Sequence, residues 1–469
     1  MRELSLVVLS EREIEEIHEG TLEVLESTGV KVLSEEGREI LRKGGAKIEG
    51  DIVFIPPSLV EQSLKSTPSE VIIKNRDGEE AMSLGGRNTY FGTGSDCPFT
   101  RDLETGERRP TLLKDIESLT LLTHHLPNLD FVMSMGLAKD KPTYTADVWE
   151  FFAMVNNTTK PIVFTAFTYQ SLKNIHEICK LIRGGEEEFR KSPFVVHYAE
   201  PTSPLIHSEV AMNKLIYCAE KEIPVNYSPA PMAGGTAPVT LAGTIILANA
   251  EILSGLVVHQ LKNPGAPFIY GAFVTIMDMS TGVFSYGAPE LILMSAGMAD
   301  MARYYHLPSW SQANITDSKI LDCQGGMEYG VSCLMACLSG ANLVHDCGYL
   351  ESGLTSSHES ILMANEVIGV VRRIREGIRV EEDYKAIKVI RDAGAGGSFI
   401  GKEHTLQFFR KEFFLPSYLD RKRYPEWIKE GGKSLEEKLK EGARKILKEA
   451  SPPHLPSKLK KSIEEKYLL

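Results

Sequence analysis

A regular alternation of short apolar runs and longer helical patterns, between residues 88 and 377, most constrains how this chain can fold. The runs are rich in β-branched and aromatic residues, as strands are. They lie at 88–95, 129–136, 161–167, 193–200, 223–231, 267–274, 307–314 and 341–349. The helical patterns that follow them lie at 111–126, 143–157, 171–183, 205–222, 237–262, 287–306, 324–340 and 356–376. Eight such units predict an α/β fold, a (β/α)₈ TIM barrel, with an open doubly wound sheet as the alternative.

The regions before and after this alternation differ from it in the order of their predicted helices and strands. Residues 1–87 combine helical patterns with short strand-like runs, which predicts an N-terminal α+β region that caps the barrel. Residues 378–469 are rich in Lys and Glu, and we expect them to form a C-terminal helical extension that packs on the barrel or on a neighbouring subunit. The predicted division is therefore 1–87, 88–377 and 378–469.

Charge and composition exclude several classes of protein. The net charge of −11 argues against nucleic-acid binding, which needs a basic surface. No run was found that approaches the roughly 20 apolar residues of a membrane helix, and charges interrupt the N-terminus where a secretory signal would need an apolar stretch. Seven cysteines spread over the chain, without a CxxC pair, indicate reduced thiols. We expect a cytoplasmic protein that self-associates into a homo-oligomer.

In a barrel of this kind the chemistry lies at the carboxyl ends of the strands and in the loops that follow them. A metal site there could draw on His197, His207, His345, His358, Cys97, Asp346 and Cys347. No HxH, HExxH or close cysteine pair supports it, so we expect no bound metal. The segment GGTAP at 234–238 has two interpretations, an anion cradle at a helix N-terminus or a flexible loop entering the helix.

Several long stretches resemble one known family. They are FGTGSDCP (91–98), PTSPL (201–205), PVTLAGTIILANAEILSGLVVHQLKNPGAPFIYG (238–271), GAPELILMSAGMADMARYYHLPS (287–309), TDSKILDCQGGMEYG (316–330) and SGANLVHDCGYLESGLT (339–355). With these stretches the chain is similar to the trimethylamine methyltransferase (MttB-like) superfamily. The resemblance implies a (β/α)₈ barrel that delivers a substrate methyl group to the Co(I) corrinoid of a small partner protein. The chain has no DxHxxG cobalamin-binding signature, so we expect the corrinoid to be presented by that partner and not tightly bound here.

The presence of isoleucine at position 315 limits which methylated amine we expect as the substrate. Family members that demethylate trimethylamine carry pyrrolysine directly before a Ser-Asp-Ala-Lys-like segment, and in this chain Ile315 precedes the matching Thr316 to Lys319. A quaternary ammonium needs no such activating group, because its methyl departs from a nitrogen that becomes a neutral amine. The resemblance therefore implies a quaternary amine, glycine betaine or a related betaine, as the methyl donor.

The expected site combines residues at the strand ends. We expect catalytic roles for Ile315, Asp317, Glu351 and Asp96. Aromatic faces and carboxylates hold a cation that donates no N–H hydrogen bond, and hydrogen-bond donors hold a substrate carboxylate. The expected substrate-binding residues are Tyr90, Phe91, Tyr198, Tyr227, Tyr270, Trp310, Glu200, Asn314, Gln312, His345, Gly234 and Gly235.

Structural interpretations of the same residues stay open. Ile315 could fill space, Asp317 could cap a turn, Glu351 could pair with a rim arginine, and His345 could be a core histidine. Two other functions also stay open. One is a metal-dependent TIM-barrel lyase or hydrolase, and the other is a non-catalytic betaine-binding protein.

Overall fold

Parallel strands and the helices between them make up most of the chain in the computed structural model, which describes residues 4–468. The strands are β1 (Val30–Val32), β2 (Lys47–Glu49), β3 (Ile52–Phe54), β4 (Val71–Lys74), β5 (Glu80–Leu84), β6 (Tyr90–Phe91), β7 (Phe99–Arg101), β8 (Arg108–Pro110), β9 (Ile162–Thr165), β10 (Val195–Ala199), β11 (Ile206–His207), β12 (Val225–Tyr227), β13 (Met232–Ala233), β14 (Phe268–Ile269), β15 (Thr275–Met277), β16 (Phe284–Ser285), β17 (Trp310–Gln312), β18 (Leu343–His345) and β19 (Thr355–Ser356).

The helices follow the predicted pattern closely. They are α1 (Glu11–Glu23), α2 (Glu35–Gly44), α3 (Pro57–Ser66), α4 (Leu113–His124), α5 (Ala146–Asn157), α6 (Tyr169–Arg183), α7 (Glu186–Lys191), α8 (Glu209–Lys221), α9 (Leu241–Lys262), α10 (Pro289–Tyr304), α11 (Cys323–Ser339), α12 (His358–Arg375), α13 (Glu382–Lys385), α14 (Ile387–Ala393), α15 (Glu403–Glu412), α16 (Tyr424–Lys429), α17 (Leu435–Glu449) and α18 (Ser457–Tyr467). Short π and 3₁₀ turns lie at Val24–Thr28 and Glu351–Gly353.

The eight predicted strand runs pair in parallel with their neighbours in chain order. β9, β10, β12 and β14 form one parallel sheet, and β17, β18 and β6 form another. Single parallel bridges join the remaining neighbours: Gly92 with Phe131, Val132 with Ile162, and Tyr270 with Ser309. The run at 129–136 thus contributes isolated bridges at residues 131 and 132 and no longer strand. The architecture is α/β, as predicted.

Four residues that follow the central strands and bridges have left-handed backbone geometry. Asp96, Met135, Asn314 and Asp346 have φ between 53° and 66°. Non-glycine residues rarely adopt this conformation, and where they do the position is often functional. These kinks turn the chain out of the strand layer and into the loops that carry the site.

The N-terminal region shares its core with the central strands and helices. β1 pairs antiparallel with β3 and parallel with β11 of the central unit. The helices α1, α2 and α3 all pack on α9, so Leu25, Leu41 and Val60 join one buried cluster with Leu253 and Val257. The region 1–87 therefore covers the central unit and has no separate hydrophobic interior among its described residues.

Helix α9 corrects one expectation from the sequence. Its 22 residues are long and apolar enough to cross a membrane by length and composition, contrary to the expectation that no such run exists. However, 72% of the apolar window is buried inside the protein. The helix is apolar on all sides because α1, α2, α3 and α8 surround it, as expected of a core helix.

The C-terminal helices differ in how they pack. α17 lies against α12 and α4 and buries Leu439 and Ala443, while α18 packs on α6 and buries Ile463. The segment between α12 and α17 is far more open to solvent, and Ile378 and Ile400 there are 89% and 92% exposed. The C-terminal extension is thus held against the rest of the protein by its last two helices, α17 and α18.

The hairpin of β4 and β5 closes the amino-terminal end of the central strands. Its side chains Ile73 and Met82 belong to a buried cluster that includes Phe131, Trp310 and Leu343. This cluster fills the space between the strands at that end. Open space for a ligand is left at the opposite end, where the strands finish.

Candidate functional site

A cavity of about 450 Å³ opens at the carboxyl ends of the central strands. Loops that follow β6, β10, β14 and β18 enclose it, together with the hairpin of β15 and β16. Its wall is formed by Ser95, Asp96, Pro98, Met133, Tyr198, Glu200, Ala230, Met232, Thr236, Phe273, Thr275, Phe284, Tyr286, His345, Asp346, Tyr349, Ser352, Gly353 and Leu354. This is the end at which barrel enzymes carry their active sites.

Asp96 lies on the wall, in the loop that follows β6. Its carboxylate accepts hydrogen bonds from the hydroxyls of Ser95 at 3.0 Å and Thr165 at 3.3 Å. Burial, with a smaller contribution from the carboxylates of Asp147 and Asp346, raises the pKa of Asp96 to about 6, although those two hydrogen bonds act in the opposite direction. The group therefore titrates near neutral pH and gains from any cation placed beside it.

Glu200 follows β10 and faces the same space. The Tyr198 hydroxyl donates a short hydrogen bond to its carboxylate. Protein atoms around the group raise its pKa to about 7, and the neighbouring Asp96 carboxylate acts in the same direction. Solvent still reaches Glu200 through the cavity mouth, so water screens part of this effect.

His345 and Asp346 form a buried pair at the end of β18. Nδ1 of His345 lies 2.6 Å from Oδ1 of Asp346. Within residues 4–468, Nε2 of His345 and Oδ2 of Asp346 are buried and have no hydrogen-bond partner. The imidazole ring lies over Trp310, with ring centroids 4.2 Å apart, and Trp310 also contacts Tyr198 at 5.3 Å. Trp310 thus forms a floor beneath two wall residues.

A group of aromatic rings forms another part of the cavity wall. Tyr286 lies between Phe273 and Phe284, with ring centroids 4.6 Å and 5.4 Å away, and meets Tyr349 edge-on at 6.1 Å. Aromatic faces attract cations through the ring quadrupole, and the attraction is strongest where water is excluded. Together with the carboxylates, these rings make a site for a cation that donates no hydrogen bond.

Four residues of the expected site lie on the cavity wall, and three more support it. Asp96, Glu200, Tyr198 and His345 line the space. Trp310 lies beneath it, and Asp317 and Glu351 hold its rim.

Asp317 holds the rim instead of facing the ligand. Its carboxylate accepts hydrogen bonds from the Ser285 hydroxyl, the Tyr286 backbone N–H at 2.7 Å and the Ser352 hydroxyl at 2.6 Å. Glu351 forms the rim ion pair that the sequence left open, with Arg108 at 2.7 Å. Both carboxylates therefore fix the loops around the mouth.

Ile315 and four of the expected aromatic residues lie away from the cavity. Ile315 and Phe91 are fully buried in the cluster beneath the outer helices. Tyr227 bonds to His207 at 2.9 Å, and Tyr270 donates to Asn249 at 2.8 Å, so both point into the helix layer. Tyr90 accepts a hydrogen bond from the Ser83 backbone N–H in the closing hairpin, at the opposite end of the strands.

The expected donors to a substrate carboxylate are also engaged elsewhere. Gln312 donates to Ser295 at 2.6 Å, and Asn314 donates to the thiol of Cys347. The backbone N–H groups of Gly234 and Gly235 both donate within the turn after β13. Of the proposed donors, His345 is the one that lines the cavity.

Residues of the loop between β14 and α10 were missed by the sequence analysis. Phe273, Phe284 and Tyr286 line the cavity from this loop, although the pattern treated 275–286 as a simple connection. A signal was present: the segment TIMDMSTGVFSYG has two apolar stretches around an Asp-x-Ser-Thr-Gly turn, which is typical of a hairpin. The carboxylate of Asp278 accepts hydrogen bonds from Ser280 and Thr281 to close that turn.

The histidines considered for a metal site are dispersed. Within residues 4–468, no group of three or more His, Cys, Asp or Glu side chains is placed to hold a metal ion. His207 lies between Tyr227 and Ser254, and His358 contacts Ser118 at 2.9 Å. Burial lowers the pKa of both imidazoles to about 4, as expected of core histidines.

Comparison with known proteins places this geometry in a family. The sequence profile described as trimethylamine methyltransferase (MTTB) matches residues 2–468. A protein named trimethylamine methyltransferase MttB, from Desulfitobacterium hafniense, is 34% identical and covers 97% of this chain and 92% of its own length. A protein named glycine betaine methyltransferase, from another strain of that species, is 33% identical and covers 96% and 94%. The solved structure of the Methanosarcina barkeri monomethylamine methyltransferase (MtmB) shares the fold, with a TM-score of 0.50, 13% identity and coverage of 94% and 98%.

Proposed function

Because the chain belongs to the trimethylamine methyltransferase family, we propose that it transfers a methyl group from a quaternary amine to the Co(I) corrinoid of a partner protein. Two relatives named for methylated amines, trimethylamine and glycine betaine, support methyl transfer from an amine of this class. The observation that carries the proposal is the cavity wall, which combines the carboxylates of Asp96, Glu200 and Asp346 with aromatic rings.

The chemistry needs little from the protein beyond binding and orientation. The C–N bond breaks, its electron pair stays on nitrogen as a neutral tertiary amine, and the methyl carbon bonds to the cobalt nucleophile. No proton has to move, so neither a general acid nor a metal held by this chain is required. The side chains hold the cation, direct one N-methyl group toward the mouth and keep water out.

The residues divide by what they contact. Asp96, Glu200 and Asp346 neutralise the bound cation, and Tyr198 and Tyr286 present aromatic surface to it. Trp310, Asp317 and Glu351 are positioning residues. Trp310 acts through His345, Asp317 through the 285–286 loop and Glu351 through Arg108. Ile315 fills the helix layer, where a larger polar side chain would not fit without repacking.

The size of the cavity fits an acceptor that stays outside it. About 450 Å³ accommodates a trimethylammonium group and its substituent, whereas a corrin macrocycle is much larger. The acceptor would approach the mouth, where Val239, Met279 and Val283 are 70%, 74% and 53% exposed. Exposed apolar side chains around a site are typical of a surface that receives a partner. We therefore propose that the corrinoid is brought by a separate protein and that no cofactor is tightly bound here.

We also propose that the eight strands close into a (β/α)₈ barrel. The isolated bridges at Gly92, Val132 and Tyr270 support closure, since they connect the two parallel sheets in chain order. The residue division 1–87, 88–377 and 378–469 is retained as a proposal, with the first region packed on the second. We propose a cytoplasmic location and self-association of the chain.

A direct assay tests the function. The purified chain is mixed with reduced cobalamin and, in turn, tetramethylammonium, choline, glycine betaine and trimethylamine, and the visible spectrum of the reduced corrinoid is followed. Loss of that spectrum with a quaternary amine, together with release of the tertiary amine, supports the proposal. No change with any methylated amine, in the presence of the cognate corrinoid protein, would refute it. Amine binding without transfer would indicate a non-catalytic binding protein.

A further inference from the structure

The ionisable side chains of the cavity wall select among methylated amines. Within the described chain, each of them is a carboxylate, a phenol or the imidazole of His345. The nearby cations are engaged elsewhere: Lys214 donates to the Ala166 carbonyl at 2.5 Å, and Arg108 on the rim pairs with Glu351. A positive ligand therefore meets a complementary wall, whereas a negative group meets like charge.

Several hydroxyl donors of the wall are already bonded to protein acceptors. The Ser95 hydroxyl donates to Asp96 and the Tyr198 hydroxyl to Glu200. On the rim, the Ser352 hydroxyl donates to Asp317. A ligand carboxylate would gain hydrogen bonds from these hydroxyls only by displacing such charge-assisted bonds, which are the stronger kind.

His345 gives a carboxylate little compensation. The carboxylate of Asp346 lies 2.6 Å from Nδ1 of His345. A ligand carboxylate placed beside the imidazole therefore also meets the carboxylate of Asp346. Trp310 beneath the ring also fixes its orientation, with centroids 4.2 Å apart.

From this wall we infer that the methyl donor is a quaternary ammonium ion with a net positive charge and no carboxylate, such as choline or tetramethylammonium, and not a betaine. The inference rests on the proposed methyl transfer and specifies its substrate class. A betaine would place its own carboxylate within the same small cavity as Asp96, Glu200 and Asp346, and like charges at such distances oppose binding. A small cation bound among the three carboxylates instead reduces their mutual repulsion.

Binding to the full-length chain tests the inference independently of catalysis. Isothermal titration at about pH 8 compares choline, glycine betaine and 3,3-dimethylbutan-1-ol, the neutral isostere of choline. We expect choline to bind at least about tenfold more tightly than either of the others, because the wall recognises charge and repels a carboxylate. Equal or tighter binding of glycine betaine would overturn the inference.

A pair of amide substitutions locates the selectivity. Glu200→Gln should reduce the ratio of choline to betaine affinity by about threefold or more, whereas the matched change Glu187→Gln on the exposed surface of α7 should leave that ratio unchanged. If Glu200→Gln does not fold, the wild-type ligand series decides alone.

Methyl transfer to reduced cobalamin, measured with the same ligands, separates the two proposals. Tight choline binding without any transfer refutes the proposed function and leaves the binding inference standing. Transfer from glycine betaine with a higher kcat/KM than from choline supports the function and refutes the inference.

Discussion

Binding of a permanently charged amine should depend steeply on pH, although the ligand itself does not titrate. In the free protein the pKa of Asp96 is raised to about 6 and that of Glu200 to about 7, in both cases chiefly by burial. A bound tetramethylammonium favours the ionised carboxylates and lowers both pKa values. Binding therefore releases protons, so affinity rises with pH up to the free-state pKa and levels off above it.

The size of the effect follows from the two pKa values. If the bound cation returns both groups to the ordinary carboxyl range, the dissociation constant at about pH 5 exceeds that at about pH 8 by up to roughly 1,000-fold, near 100-fold from Glu200 and near tenfold from Asp96. Because solvent reaches Glu200 through the mouth, the observed ratio should fall below this limit. A value of at least about tenfold still distinguishes the effect from noise.

Isothermal titration with tetramethylammonium from about pH 5 to 8 measures this dependence, with circular dichroism to verify that the protein stays folded. Glu200→Gln should remove the steeper part and leave the smaller contribution of Asp96. Glu187→Gln, which alters an exposed carboxylate of α7 outside the cavity wall, should leave the profile unchanged. A dissociation constant that stays the same across this range in the folded wild-type protein would refute the reasoning.

Three further substitutions test separate parts of the structure. Ile315→Ala should lower the free energy of unfolding by about 2–4 kcal/mol, since the side chain is fully buried, and should leave amine affinity nearly intact. If denaturant titration shows unchanged stability and the affinity is lost, Ile315 belongs to the site instead. Asp317→Ala removes the acceptor of three rim hydrogen bonds. The variant should therefore be cleaved faster by limited proteolysis within 275–286 and bind the amine about tenfold more weakly. An unchanged digestion rate would contradict this. Met279→Asp should slow methyl transfer to the partner-borne corrinoid but not to free cobalamin, because Met279 is 74% exposed beside the mouth. If the variant is as fast as the wild type with each of the two acceptors, the partner does not dock there.

The periodicity of the sequence was enough to predict the elements that carry the site. The helix expected at 143–157 is α5, Ala146–Asn157, and the run at 193–200 contains β10, Val195–Ala199. These segments are long or strongly patterned, so local propensity and tertiary packing agree. The run at 129–136 forms isolated bridges at residues 131 and 132. The Met133 backbone N–H donates to the Thr93 hydroxyl and not to a neighbouring strand, a contact that apolar periodicity does not reveal.

Which aromatic residues face the ligand could not be read from the sequence. Tyr198 lines the cavity and Tyr227 enters the helix layer, although both lie on buried parallel strands. Such strands are apolar on both faces, so alternation shows that neighbours point in opposite directions but not which of them points inward. The carboxylates at Asp96 and Glu200 were more predictable, because residues directly after a strand reach the open end of the fold whichever face precedes them.

The position of α9 in the chain has a consequence for biosynthesis. The helices that cover it, α1, α2 and α3, lie within residues 11–66 and leave the ribosome well before residues 241–262. A polypeptide without them would leave α9, an apolar helix of 22 residues, uncovered on the sides that α8 does not reach. Because the covering helices are made first, we expect them to be available to bury α9 as soon as it is synthesised.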